Sequence, residues 1–104
     1  MRRGEVWWAE LPQPVGRRPV VLLSRDSAYE ARTAVTIAPL TRTIRNIPVE
    51  VHLGEKDGLP SRCAINLDDI ATIPKSLIKR RITILSAERI TEIEEAIRFA
   101  LDIP

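Results

Sequence analysis

The run Gly16-Arg17-Arg18-Pro19 feeds directly into the apolar stretch Val20-Val21-Leu22-Leu23-Ser24. Pro19 fixes its own φ and pushes Arg18 towards an extended conformation. Two guanidinium groups therefore stand at the mouth of what reads as a buried strand. A guanidinium is permanently charged and presents a planar fork of donors, so one held on a rigid element suits a phosphate group. Arg42 and Arg45 follow Thr41 in a polar connection and read either as a solvated loop or as phosphate contacts flanking a site. Lys79-Arg80-Arg81 reads as a charged edge that discourages strand addition, or as a track for an anionic polymer.

Other chemistries find few residues. The one histidine, His52, lies in a strand pattern and reads as structural or exposed. One histidine and one cysteine, Cys63, give no zinc spacing and no internal disulfide. No phosphate-binding loop and no Gly-rich dinucleotide fingerprint is present. Asp68-Asp69 is the tight carboxylate pair outside the C-terminal helix; on a strand its members would face opposite ways, which argues against a shared metal. What remains is Arg, Thr, Ser, Asp and Asn. That set excludes most enzyme classes and permits phosphoryl transfer, where positioning and charge stabilisation carry the catalysis.

The elements that must position these residues are short. Glu5–Leu11 reads as a strand with Trp7 and Trp8 on opposite faces, one in the core and the other exposed, at an interface or available to a base. Residues 12–16 form a turn. Strands are predicted over 20–24, 34–40, 48–53, 63–65, 69–73 and 79–85, with a short helix within 25–32; Pro39 suggests a strand end or an edge. The chain ends in a helix. Ser86 is its N-cap, Ile90, Ile93, Ile97 and Leu101 form its apolar face, and Glu94 is spaced to pair with Arg98. Many short strands closed by one amphipathic helix point to a small, strongly curved sheet or barrel.

A chain of 104 residues is expected to form one domain, 1–104, with a single modest core. No apolar run approaches a membrane span and no secretory signal is visible, so the cytoplasm is the expected compartment and no membrane partner is expected. The net charge is only +2, but it is unevenly spread. Residues 1–50 carry eight arginines and no lysine against five acids, whereas residues 86–104 carry two bases against five acids. A basic, arginine-only half suits an anionic partner such as nucleic acid; ordinary solubilising charge is the competing reading.

Taken in order, Arg3-Gly4-Glu5-Val6-Trp7, Gly16, Arg18 to Ser24, Ala38-Pro39-Leu40-Thr41, Asp68 to Ile73 and the helix after Ser86 resemble the MazF/PemK/Kid family of toxin endoribonucleases. The resemblance covers nearly the whole chain. It implies a mainly β fold with a C-terminal helix, the SH3-like small barrel of CcdB/PemK-type toxins, paired into a homodimer. It also implies cleavage of single-stranded RNA, mostly messenger RNA, at short sequences. No metal and no cofactor is needed, because the substrate's own 2′-OH attacks and leaves a cyclic phosphate and a 5′-OH end. A cognate antitoxin is the implied protein partner.

By the same resemblance Arg18 matches the family's catalytic arginine and Thr41 its catalytic threonine. Arg18 can neutralise charge on the phosphorane, and Thr41 can donate a hydroxyl hydrogen bond to the same phosphate. Arg17, Arg42, Arg45, Asn66 and Asp68 are the expected RNA-binding residues. Two segments depart from the family pattern. Only Arg17 separates Gly16 from Arg18, where relatives carry a longer loop, and Asn66 stands where Kid-like members have an arginine, although Asp68 matches their acid. A CcdB-like toxin that grips gyrase without cutting RNA, and a degenerate relative that binds RNA uncut, are the rival readings.

Overall fold

Seven strands form one antiparallel sheet, because β-branched and aromatic residues alternate with polar ones over short runs punctuated by Gly, Pro and Asp. The computed structural model describes residues 1–104. The strands are β1 (Glu5–Glu10), β2 (Arg17–Leu22), β3 (Ala34–Thr41), β4 (Glu50–Leu53), β5 (Cys63–Asn66), β6 (Ala71–Pro74) and β7 (Ile78–Ile84). Two helices, α1 (Ala28–Ala31) and α2 (Ala87–Ala100), complete the fold. The sheet order is β4-β5-β3-β2-β1-β7, and β6 pairs with the first half of β3.

Curvature gives the sheet two apolar faces. The inner one holds Val6, Val21, Ala38, Leu40, Val51, Ile65 and Leu67, closed by Ile93 and Ala96 of α2. The outer one gathers Ala9, Val20, Leu22, Val35, Ile37, Ile73 and Ile78 around Tyr29 of α1. Successive residues alternate between them, so the continuous run Val20-Val21-Leu22 is buried on both sides. No buried side-chain nitrogen or oxygen is left without a hydrogen-bond partner, which is what an interior of this size requires.

Several local expectations are corrected. β2 starts at Arg17 rather than Val20, so both arginines belong to the strand, paired with Glu10 and Ala9 of β1. Pro39 is neither on an edge strand nor at a terminus. It falls where β3 exchanges β6, paired as far as Ile37, for β5, paired from Leu40, and a residue without an N–H suits that break. Asp68 and Asp69 lie in a single 3₁₀ turn, Leu67–Asp69, and not on a strand, which starts only at Ala71.

The terminal helix begins as expected, with Ser86 Oγ accepting from the Arg89 N–H at 3.2 Å. Its apolar face ends early: Leu101 follows the last helical residue and is 58% exposed. Glu94 pairs with Arg3 at 3.2 Å rather than with Arg98, because the N-terminal segment packs across the helix. The helix base is fastened by Arg89, which donates to Asp57 Oδ1 at 3.0 Å and to Glu92 Oε2 at 2.9 Å.

Candidate active site

The β1–β2 hairpin is short and tightly closed. Leu11 N–H donates to the Gly16 carbonyl at 3.1 Å, and Gly16 turns the chain at φ +68°, a left-handed conformation that favours glycine. The turn delivers Arg17 and Arg18 to opposite faces of β2. Arg18, opposite Ala9, takes the outer face with Val20 and Leu22. Thr41 ends β3 on the same face as Val35 and Ile37. The last β2–β3 pair is Val20–Pro39, and Arg18 and Thr41 each lie two residues beyond it in the same direction. Continued register would set them opposite one another on strands about 5 Å apart.

Thr41 Oγ1 accepts the Thr43 N–H at 3.1 Å. A hydroxyl carries one donor and two acceptor sites, so that bond fixes the side chain while its proton stays free to be donated. Arg18 is half-buried and forms no ion pair or side-chain hydrogen bond within the chain, so its donors are free as well. Two unspent donor groups thus lie at the same end of adjacent strands, an arrangement suited to the oxygens of a phosphate.

The loop after Thr41 carries Arg42 and Arg45, both exposed. It is pinned from β4 by Glu50, whose side chain has no exposed surface. The Glu50 carboxylate accepts from the N–H groups of Arg45 at 3.1 Å and Asn46 at 2.8 Å, and lies 3.3 Å from His52 Nε2. Burial by itself would push this carboxyl up. The hydrogen bonds from Arg45, His52, Asn46 and Ile47 outweigh burial and hold it below the ordinary carboxylate value. His52 is therefore more than a solvated strand residue. Register aligns it through Ala64 of β5 with Thr41 of β3, on the same face. Its i,i+2 spacing from Glu50, which sets both side chains on one face of a strand, is the sequence signal that could have found this contact.

Asn66 and Asp68 fall on the same side of the molecule, with Asn66 opposite Glu50 in register. The buried Asn66 amide caps the 3₁₀ turn: Oδ1 accepts the Asp68 N–H at 2.9 Å and Nδ2 donates to Asp69 Oδ2 at 3.1 Å. Its hydrogen bonds hold the turn in place, while the Asp68 carboxylate is exposed. No cluster of three or more His, Cys, Asp or Glu side chains comes together anywhere in the fold.

The two tryptophans separate as strand alternation requires. Trp7 packs on the outer cluster and donates Nε1–H to the buried Glu5 carboxylate at 2.9 Å. Burial pushes Glu5 up, but hydrogen bonds from Trp7 and the Arg2 N–H, with the N-terminal charge and Arg81, outweigh it, so Glu5 stays ionised below the ordinary value. Trp8 is on the inner face and lines a cavity of about 260 Å³ at the mouth of the barrel. Arg17 lies over its ring, 4.7 Å from the centroid, a cation–π contact that composition could not specify. Thr41 and Arg42 line the same cavity.

Solved structures share this architecture over nearly its full length. A Mycobacterium tuberculosis toxin, MazF-mt6, superposes with a TM-score of 0.89 at 32% identity, covering 96% of this chain and 98% of that one. A mycobacterial endoribonuclease solved in complex with its cognate antitoxin gives 0.88 at 26% identity, covering 100% and 97%. The chain thus has the CcdB/PemK-type fold of these small toxins.

The family is equally plain. The model for PemK-like, MazF-like toxins of type II toxin–antitoxin systems matches residues 2–101, and the chain belongs to that family. Among relatives in M. tuberculosis, the probable endoribonuclease MazF2 is 41% identical over 99 residues, 94% of this chain and 95% of the relative. The probable endoribonuclease MazF5 is 41% identical over 101 residues, 96% and 92%.

Proposed function

We propose that this protein is an endoribonuclease toxin that cleaves single-stranded RNA, messenger RNA above all, at short sequences, without a metal or cofactor. The observation that carries the reading is the placement of Arg18 and Thr41, on one face and at one end of adjacent strands, with their donor groups uncommitted. Family membership and the relatives named as endoribonucleases supply the substrate class.

The reaction is an in-line transesterification. The 2′-oxygen of the RNA attacks the adjacent phosphorus and gives up its proton, the P–O5′ bond breaks, and the departing oxygen takes a proton to become a 5′-OH. The other product ends in a 2′,3′-cyclic phosphate. Arg18 stabilises negative charge on the non-bridging oxygens, and Thr41 Oγ1–H donates to the same group. Arginine, with a pKa above about 12, acts as a fixed charge rather than a proton donor. Arg17, Arg42 and Arg45 draw in the flanking phosphates, with Asn66 and Asp68 bounding the site from β5 and its turn.

Two partners complete the proposal. Ile84, Phe99, Leu101 and Ile103 expose apolar side chains at the end of β7 and the end of α2, and pairing of two copies into a homodimer would cover such surface. A cognate antitoxin would neutralise the toxin in the cytoplasm by laying an acidic, apolar segment over the basic face, ordering as it binds. The test is incubation of the purified protein with a long single-stranded RNA in EDTA, beside Arg18→Ala. Discrete fragments with 5′-OH ends, absent from the variant digest, are expected. Intact RNA that is nonetheless bound would leave only an RNA-binding relative, and intact, unbound RNA would sink the nuclease reading.

A further inference from the structure

We propose that His52, oriented by Glu50, is the general base of the site and takes the proton of the attacking 2′-OH. The inference rests on the proposed RNA-cleaving function and deepens it. That reaction must move a proton off the 2′-oxygen, and neither residue of the strand-end pair accepts one. Arg18 is a fixed charge, and Thr41 offers a proton of its own. Imidazole is the side chain whose unperturbed charge change falls between about pH 5 and 8, and His52 is the chain's one histidine.

Strand register places the ring. Thr41 of β3 pairs with Ala64 of β5, and Ala64 pairs with His52 of β4. The three residues form one row across one face of the sheet, and continued register would carry that row to Arg18 on β2. Strand spacing sets the Cα atoms of Thr41 and His52 about 10 Å apart. Ala64 between them adds only a methyl group to that face. A phosphate seated on Arg18 and Thr41 therefore has the width of Ala64 in which its ribose can meet the imidazole. The His52 side chain is 40% exposed, which leaves it accessible to a substrate.

Glu50 fixes both the orientation and the tautomer. His52 Nε2 lies 3.3 Å from Glu50 Oε1, and the same carboxylate is tied down by the N–H groups of Arg45 and Asn46. An ionised carboxylate only accepts hydrogen bonds, so Nε2 carries the ring proton and donates it. The lone pair of the neutral ring is then on Nδ1. That is the atom assigned to the 2′-OH, with Glu50 as a positioning residue behind it. As the O2′–P bond forms, the O2′–H bond breaks and its proton passes to Nδ1. The P–O5′ bond breaks with its electron pair on O5′, which takes a proton from water. The imidazolium returns its own proton to the hydroxide left behind.

The groups around the row leave His52 this role. On β4 its charged neighbour is Glu50, and no strand pairs with the outer edge of β4. From β5 the register presents Ala64 and Asn66, neither of which titrates. The cations are Arg18 on β2 and Arg42 and Arg45 in the loop after β3. Helix α2 meets β4 on the opposite, inner face. Asp68 is the rival base, but its turn starts past Asn66, one register step beyond the row.

Single-turnover cleavage from about pH 5 to pH 8, where Glu50 stays ionised, tests the assignment. The wild-type rate is expected to rise about 10-fold per pH unit in acid and then level off. His52→Gln is expected to be slower by at least about 10²-fold and to lose that acid limb, with RNA affinity little changed. Imidazole in the buffer should restore part of the rate of His52→Gly. Asp68→Asn should keep the limb. A substrate with sulfur in place of O5′, which departs without a proton, should leave the His52→Gln deficit in place. A second readout needs no catalysis: a 2′-deoxy oligonucleotide should shift the single set of imidazole NMR signals saturably in the wild-type protein.

An acid limb that survives in His52→Gln, or that Asp68→Asn removes instead, overturns the proposal. A deficit that vanishes with the sulfur leaving group makes His52 an acid and overturns it as the base. Imidazole signals that ignore the bound oligonucleotide overturn it whatever the stability of the variants. Arg18-dependent cleavage that is intact in His52→Gln removes the base assignment and spares the nuclease reading. RNA left whole by the wild-type protein removes both.

Discussion

Arg18 and Thr41 stand twenty-three positions apart in the chain, yet each lies two residues past the Val20–Pro39 pair on the outer face of its strand. Arg18 is opposite Ala9 in the β1–β2 register, and its guanidinium has no ion-pair partner within the chain. Loss of a donor placed at developing transition-state charge costs about 3–4 kcal/mol. Arg18→Ala is therefore expected to lower the single-turnover cleavage rate by about 10²–10³-fold, with RNA affinity much less affected. Arg18→Lys keeps the charge and loses the fork, so it should recover only part of that loss. Thermal unfolding of both variants should stay close to wild type, since the side chain is half-exposed and unpaired. An equal fall in affinity and rate would make Arg18 a binding residue and not a catalytic one.

Thr41 anchors its loop and is proposed to serve the substrate as well. Its oxygen accepts the Thr43 N–H while its proton remains available. Thr41→Ser keeps both functions and is expected to retain most activity. Thr41→Val keeps the shape and loses both, so cleavage should drop by at least about 10-fold, the value of one charge-assisted hydrogen bond. Rapid-quench kinetics of the two variants on one oligonucleotide distinguish the hydroxyl from the methyl group.

Glu50 links the arginine loop to acidity. Burial favours its neutral form, but donors from Arg45, His52, Asn46 and Ile47 prevail, and its folded value lies below the ordinary 4.5. A carboxyl depressed on folding contributes stability that is fully present above its unfolded value and is lost as pH falls through the folded one. The clamp therefore holds at neutral pH and weakens on acidification below about 4.5. Glu50→Gln is expected to cost about 1–3 kcal/mol at neutral pH, because the Arg45 and Asn46 N–H groups lose a charged acceptor, and to flatten that part of the acid profile. Urea melts of both proteins from pH 7 to pH 3, with amide exchange at Arg45 and Asn46, provide the measurement.

Asp57 and Arg89 fasten the base of α2 at 3.0 Å, with side chains 8% and 15% exposed. Burial pushes Asp57 up, yet the Arg89 hydrogen bond and the Gly54 N–H hold it below its ordinary value, while Asp57 in turn raises Arg89. Arg89→Ala leaves a mostly buried carboxylate without its cation and should destabilise the fold by about 3 kcal/mol. Asp57→Asn/Arg89→Gln should cost less than the single change, because neither partner is then left charged and alone. Denaturant titration of the set decides it.

Arg42 and Arg45 are exposed on the pinned loop and are assigned to phosphates. Each contact releases a counterion from single-stranded RNA, so Arg42→Ala and Arg45→Ala should each reduce the slope of log affinity against log salt by about 0.7. Filter binding at several salt concentrations gives the slope directly. An unchanged slope would place that arginine off the RNA path.

Sequence by itself determined the elements and their faces. Alternation over β1 put Trp7 and Trp8 on opposite sides, the 3.6-residue spacing and Ser86 defined α2, and the Arg18-Pro19 pair marked a rigid cation before a buried strand. These are local consequences of backbone period and side-chain chemistry, visible in any short window. The ordered motifs also identified the family, which residue types alone could not have done.

Tertiary structure decided what depends on partners distant in the chain. Register brought Thr41 to the Arg18 end of the sheet and aligned His52 with Thr41 through Ala64. It sent Glu94 to Arg3 instead of Arg98, placed Asp68 and Asp69 in a turn capped by Asn66, and closed the barrel mouth around Trp8 with Arg17 on its ring. Strand pairing and charge partnering join segments that no local pattern relates, because the free energy that selects among them is gained only when the whole sheet curls and buries both of its faces.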